Sequence, residues 1–227
     1  VLFMVGSQSA RIDLEKVGIP DKNITVVPHG VIIKKFKKLP AKEKIKTVVF
    51  LGALTKDKGI EDALKVFSYL AKLGNYNFWV IGKGGKEYEK YLLNLTKGLG
   101  IKSKVKFWGF VSEVKKFELL AKAHVLINPS VREGWGLVNI EANAFGVPVV
   151  AYKSAGLIDS VRDGISGLII KKNNPKELAK TVIDILTDTK RYQELRGGAI
   201  SWSKRFSWNV SRKKSLNLIN QLLKTNP

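Results

Sequence analysis

The hydrophobic pattern of this chain switches period again and again, and that constrains its fold more than any other feature. Short apolar, β-branched runs of strand length alternate with segments whose apolar residues recur at helical spacing. TVVFLGAL (47–54) is a buried strand running into Gly52. In the following IEDALKVFSYLAK (60–72), Ile60, Ala63, Leu64, Phe67 and Leu70 with Ala71 form one helical stripe. The couple returns as NFWVIGKGG (77–85) with EYEKYLLNLTKGLG (87–100), and as KVKFWGFV (104–111) with VKKFELLAKA (114–123). It returns again as HVLINPS (124–130) with a helix starting near Leu137, and as PVVAY (148–152) with LIDSVRDG (157–164). SGLII (166–170) precedes PKELAKTVIDILTD (175–188), which has proline at the helix entry. The remainder, to about Leu223, is helical with a break around 205–207. Strand then helix, six times over, predicts an α/β fold: a Rossmann-like, doubly wound parallel sheet with helices on both faces. The strands are nearly unbroken hydrophobic runs, as strands buried on both faces should be. The first forty residues differ. A strand VLFMVGS, a helix ARIDLEKVG and a short strand ITVVPHG (24–30) precede the lysine-rich KKFKKLPAKEK, which reads as a connector to the main sheet.

At 227 residues, 44% of them hydrophobic, the chain has material for one large domain, or one domain plus fragments of another. It contains no cysteine, which excludes disulfides, thiolate metal sites and a thiol nucleophile. His29 and His124 are its two histidines, too few for a histidine-rich metal site. The formal net charge is +21. That excess fits nucleic acid binding, attraction to an anionic membrane or polyphosphate ligand, or a lysine-rich surface of the kind thermophile proteins carry. The lysines are spread along the chain with only short clusters such as KKFKK (34–38), and no aromatic-and-basic RNA pattern appears, so nucleic acid is disfavoured. No apolar run approaches the roughly 18 to 20 residues of a membrane span. VLFMV is too short for a signal sequence and lacks a basic start. Opening on Val1 inside an apolar run, the chain looks like a fragment or a gene with an unusual start codon.

Open α/β sheets bind ligands at the carboxyl ends of their strands. Here those positions are 53–58, 82–85, 109–111, 129–136 and 153–156, and glycines recur in them. IGKGGK (81–86) has neither the dinucleotide spacing nor the P-loop spacing, so its glycines read as turn residues. EGWGLVNIEANAFGVPVV (133–150) is richer, with two glutamates eight positions apart around a glycine turn and a helix start. Glu133 falls in the loop at the ligand end. The free amides of Gly136 to Val138 suit an anion such as a diphosphate. Glu141, about one turn inside the helix, is placed to reach a vicinal diol. Two carboxylates beside an anion site make sense when the ligand also carries sugar hydroxyls. Judged singly, each glutamate is better read in a plain structural role, Glu133 as an exposed acid favouring a helix dipole and Glu141 as a surface helix residue.

Taken together, these segments resemble the carboxyl-terminal, donor-binding domain of retaining GT-B glycosyltransferases of family 4, the glycosyl transferases group 1 family. PHGVIIKKF (28–36) is similar to the family's entry into that domain, and FLGALTKDKGIEDAL (50–64) to its G-R-L-x-x-x-K-G segment. VKFWGFV (105–111), VLINPSVREGWGLVNIEANAFGVPVVA (125–151) and AGLIDSVRDGISGLII (155–170) resemble the strand, paired-glutamate and following segments. FSWNVSRKK (206–214) resembles the last helix. The paired-glutamate segment is the specific one.

The resemblance implies that Lys58 neutralises the donor diphosphate and that Glu133 contacts the donor sugar near its 3-hydroxyl, the two counted as catalytic. It implies that Gly134, Trp135, Gly136, Leu137 and Val138 cradle sugar and phosphates, and that Glu141 binds the ribose. Val111 falls where the main chain touches the base, and Gly52 closes the strand before the phosphates. The family's diphosphate arginine falls at Ala53, which carries no charge, and Lys56 is the nearest substitute. His29 replaces an asparagine, Ala155 a glycine, and His124 an aspartate at a strand start, where it reads as structural. The implied reaction moves a hexose from a nucleoside diphosphate sugar to a hydroxyl with retention, using charge stabilisation of the leaving diphosphate. It implies no cofactor and no metal, and no Asp-x-Asp pair is present.

The implied layout is a remnant of the acceptor domain and linker at 1–28, a donor domain at 29–205 and a carboxyl-terminal helix at 206–227. The implied partners are the donor and an amino-terminal acceptor domain, in cis or in trans, without which the chain should be inactive. The expected location is cytoplasmic, with peripheral membrane contact as an option. The rival expectation is a non-catalytic module binding nucleotides or polyanions, and a sugar-nucleotide epimerase on the same fold ranks below it.

Overall fold

The computed structural model describes residues 1–33 and 36–225; Lys34 and Lys35 of the lysine-rich connector lie outside it. The chain opens with a small unit: β1 (Phe3–Val5), α1 (Gln8–Lys16) and β2 (Ile24–Val26). β1 and β2 pair in parallel as a separate two-stranded sheet. Ser7 accepts from the Ala10 amide and caps α1.

The main body repeats strand and helix: β3 (Lys46–Leu51), α2 (Ile60–Leu73), β4 (Tyr76–Ile81), α3 (Lys86–Gly98), β5 (Val105–Gly109), α4 (Glu113–Lys122) and β6 (Val125–Asn128). It continues through α5 (Leu137–Ala144), β7 (Val149–Ala151), α6 (Ala155–Ser160), β8 (Gly167–Ile169), α7 (Pro175–Thr187), α8 (Thr189–Ser203) and α9 (Trp208–Thr225). All six strands run parallel, in the order β5-β4-β3-β6-β7-β8. The chain therefore winds outward from β3 to β5, returns to lay β6 beside β3, and winds the other way. Reversals of this kind leave a crevice beyond the strand ends, between the two halves.

Period-two alternation explains the two helical layers. Val48 and Phe50 of β3, Phe78 and Val80 of β4, and Val125 and Ile127 of β6 point to one face, where Leu64, Phe67 and Val182 of α2 and α7 cover them. Their neighbours Val49, Trp79, Ile81, Leu126 and Val149 point to the other, against Phe117 and Leu120 of α4 and Ala142 of α5. Each such fully buried side chain contributes roughly 1.5–3 kcal/mol of transfer free energy. Ser112 caps α4, and Asn174 caps α7 just ahead of Pro175.

One helix departs from the expected bounds. LIDSVRDG is not helical throughout: α6 begins two residues earlier and stops at Ser160, and Val161 is extended. The Asp163 carboxylate accepts from the Ile169 amide, which turns 161–166 into the hairpin-like approach to β8.

At the amino ends of the strands, cationic and polar side chains finish the carboxyl ends of the helices. Lys42 Nζ donates to the carbonyls of Ala123 (2.6 Å) and Phe145 (3.5 Å), the C-cap residues of α4 and α5. Lys46 Nζ donates to the Leu186 carbonyl in the last turn of α7. The Thr47 amide donates to His124 Nδ1 at 3.0 Å, and the Tyr192 hydroxyl to the His124 carbonyl. Burial, with Lys42, Lys46 and Arg196 nearby, pushes the His124 imidazole down to about 4. His124 is structural, as its position at a strand start suggests.

Candidate functional site

The crevice between β3 and β6 holds a cavity of about 530 Å³. Phe50, Leu51, Gly52 and Ala53 line it from the end of β3, and Asn128 from the end of β6. Lys58, His29 and the loop from Glu133 to Val138 complete its wall. Lys58 and Glu133 are the only Lys, Arg, Asp or Glu side chains lining it among the described residues.

Backbone stitching brings the loop after β3 and the loop after β6 together. The Val131 amide and the Ser130 hydroxyl both donate to the Asp57 carbonyl. Gly59 enters α2 with φ 73°, and a Cβ there would stand 2.1 Å from the Pro129 carbonyl oxygen, so this approach needs glycine. The result puts Lys58 Nζ 3.0 Å from Glu133 Oε2 and 3.4 Å from the Arg132 carbonyl. Both side chains are mostly buried, at 28% and 16% exposure.

The glycine turn before α5 is held from three sides. A chain of buried hydrogen bonds runs from Asn128 to Asn139 (2.9 Å), from Asn139 to Ser160 (2.9 Å) and from Ser160 to the Gly156 carbonyl (3.0 Å), joining β6, α5 and α6. The Gly156 amide donates to the Glu133 carbonyl at 3.2 Å, and a Cβ on Gly156 would lie 2.4 Å from that oxygen. Trp135 is buried edge-on against Phe206 (4.9 Å between rings), with His29 6.1 Å away on another side. The first-turn amides of α5, at Leu137 and Val138, therefore face the cavity from the positive end of a short helix dipole.

Glu141 lies one turn further into α5 and outside the cavity lining. Its Oε1 sits 2.8 Å from Lys116 Nζ, and Lys116 is also 2.8 Å from Glu113. The Lys116–Glu141 pair is nearly closed off, at 13% and 14% exposure. Burial raises the Glu141 carboxyl above its ordinary range, and Lys116 pulls it back. Burial works to lower the Lys116 ammonium, but hydrogen bonds to Glu113 and Glu141 outweigh it and hold its pKa above the usual value.

Of the residues singled out in the sequence, Gly52, Lys58, Glu133, Gly134, Trp135, Gly136, Leu137 and Val138 line one cavity. Glu141 and Val111 do not; Val111 follows β5 and packs partly against the α4–α5 side of the core. Ala53 lines the cavity, whereas Lys56 lines a separate depression with Gly59, Glu61 and Pro129, so it is no direct substitute for an arginine at 53. Gly82 serves packing: a Cβ there would lie 1.8 Å from the Gly52 carbonyl oxygen. Asn128 is the wall residue that sequence reasoning passed over. Its signal was an amide ending an otherwise apolar strand, VLIN. Among the described residues no group of three or more His, Asp or Glu could hold a metal ion, and no helix is long and apolar enough to cross a membrane.

A family model described as "Glycosyl transferases group 1" matches residues 31–202. An uncharacterized glycosyltransferase of Methanocaldococcus jannaschii is 30% identical over 174 residues, covering 76% of this chain and 44% of the relative. A D-inositol 3-phosphate glycosyltransferase of Geodermatophilus obscurus is 28% identical over 228 residues, covering 89% and 48%. The chain thus spans about half the length of the curated relatives it matches. Among solved structures, Anabaena HepE in complex with UDP-glucose superposes with a TM-score of 0.81 at 21% identity, over 96% of this chain and 64% of that one.

Proposed function

The chain belongs to the glycosyl transferases group 1 family, and from that premise we propose that its crevice holds the diphosphate sugar of a nucleotide donor for transfer to a hydroxyl acceptor. The observation that carries this reading is the pairing of one cation and one carboxylate beside the amino end of α5, at the switch of a GT-B-type sheet. A diphosphate needs the Lys58 ammonium and helix amides; a sugar needs an acceptor of hydroxyl hydrogen bonds, which Glu133 supplies. Glu141 takes the ribose hydroxyls and Val111 the base, each reached by a ligand extending out of the cavity.

In the transfer, the bond between the anomeric carbon and the diphosphate oxygen breaks, and its electron pair leaves on the diphosphate. The acceptor oxygen bonds to the anomeric carbon on the same face and passes its proton to the departing diphosphate oxygen. Lys58 and the α5 amides stabilise the charge that grows on the leaving group. The sugar is a hexose and the configuration is retained, as in the family-4 enzymes the motifs resemble. Residues 29–205 form the donor unit, and α9 (Trp208–Thr225) closes it. Residues 1–28 belong with an acceptor-binding half supplied by further sequence, in cis or in trans, without which turnover is negligible. That reading fits relatives about twice as long as this chain.

A thermal-shift panel of UDP, GDP, ADP and their sugar conjugates tests the reading. One nucleotide series should raise the melting temperature, as a ligand that binds only the folded state must. No shift from any of them overturns it.

A further inference from the structure

The cavity's two charges face each other. Lys58 Nζ lies 3.0 Å from Glu133 Oε2, each side chain largely withdrawn from water, and among the described residues the wall carries no second Lys or Arg to take over from Lys58. Any anion recruiting Lys58 must therefore draw it off Glu133 and leave that carboxylate partly buried beside added negative charge. Such an exchange is tolerable only when the incoming ligand gives Glu133 something to bind.

We infer that the Lys58–Glu133 pair is an exchange switch that makes the site select a nucleoside diphosphate sugar over the free nucleoside diphosphate. This rests on the donor-site reading above and adds how that site tells its substrate from its product. With a sugar attached, Lys58 moves to the diphosphate while sugar hydroxyls donate to Glu133, so both partners of the broken pair are satisfied. Once the sugar has gone, the diphosphate carries a further ionisable oxygen and no hydroxyl reaches Glu133. The carboxylate then repels the product and competes for Lys58, and re-forming the ion pair expels the nucleotide. Trp135 buried against Phe206 and the Gly156 contact to the Glu133 carbonyl fix the loop backbone, so the exchange needs only side-chain motion.

The test compares dissociation constants, by calorimetry at low ionic strength, for matched pairs on the full chain: UDP with UDP-glucose, GDP with GDP-mannose, ADP with ADP-glucose. Glu133→Gln is nearly isosteric and removes the charge. For the pair that binds the parent, the variant should bind the free diphosphate on the order of tenfold more tightly, the scale of one removed like charge at this range in a partly screened site. It should bind the sugar conjugate no better than the parent does, so the preference for the conjugate collapses. Should Glu133→Gln fail to fold, Glu133→Asp, which draws the carboxylate back from Lys58, is read the same way with a smaller shift. If the two constants move together, or neither moves, the switch is overturned while the donor site stands. If no pair binds the parent, the donor-site reading falls, and the switch with it.

Discussion

The two ends of the six-stranded sheet treat charge in opposite ways. At the amino ends of the strands, Lys42 and Lys46 donate to carbonyls that close α4, α5 and α7, and His124 accepts a backbone amide. The helix carboxyl termini, negative ends of their dipoles, are thus answered by the protein's own lysine donors, of which burial and Arg196 bring the Lys42 ammonium down to about 7. At the carboxyl ends, Lys58 is paired with the Glu133 carboxylate and reaches the Arg132 carbonyl, and the first turn of α5 lines a cavity. One end is closed by the fold; the other opens on a cavity. Stability and binding should therefore separate cleanly between them.

The largest test of that separation is Lys42→Ala. Losing this buried donor, whose ammonium burial and nearby Arg196 bring down to about 7, should lower unfolding free energy by about 2–3 kcal/mol, because two helix-end carbonyls lose their partner, measured by denaturant titration, with nucleotide affinity unchanged wherever the variant is folded. A parallel loss of affinity would show that the ends are coupled. Next comes Glu141→Ala. If Glu141 holds the ribose as proposed, nucleotide diphosphate binding should weaken by roughly 1–3 kcal/mol in titration calorimetry, and equal affinities would remove Glu141 from the site.

The third concerns acid. His124 is held neutral down to about 4, whereas in the unfolded chain it takes its proton near the ordinary value of about 6.5. Between those values the unfolded state binds more protons, so this contribution is full above the ordinary value and is lost as pH falls toward about 4. Discounted for partial exposure, the loss is about 1–2 kcal/mol. A His124→Asn variant should show a flatter acid slope in its denaturation midpoint, and an unchanged slope would place the acid sensitivity elsewhere. The smallest effect belongs to Ala53→Arg. A second cation on the cavity wall should sharpen the preference for diphosphate over nucleoside by about 1 kcal/mol, and added salt should erase most of the gain. A competition assay at two ionic strengths reads it, and a salt-independent gain would mean the arginine acts by packing.

Local pattern made one of these ends easier to read than the other. The strands, the helix entry at Leu137 and the glycine turn before it are visible because each depends on residues a few positions apart. Glu133 and Lys58 could be nominated, because strand ends in such sheets collect ligands. Their pairing could not, since it spans 75 positions and depends on the strand order. The Lys116–Glu141 pair and the Asn128–Asn139–Ser160 chain were hidden for the same reason: each joins elements whose neighbours are chosen by packing. The same holds for Lys42, which reads as one more residue of a basic connector and caps two helices. The four-residue overrun at the end of α6 came from Asp163, whose carboxylate serves the Ile169 amide rather than a continuing helix.

The parallel pairing of β3 with β6 has a kinetic consequence. Two strands and the helices between them must be made before β6 can dock, and closing so large a loop is slow relative to local contacts. During synthesis, Lys58 emerges long before Glu133, so no half-made chain can present both charges. A ligand that bridges them therefore recognises only molecules in which this late closure has happened. At saturating concentration it holds them there by mass action, making the loaded chain the longer-lived one under protease attack.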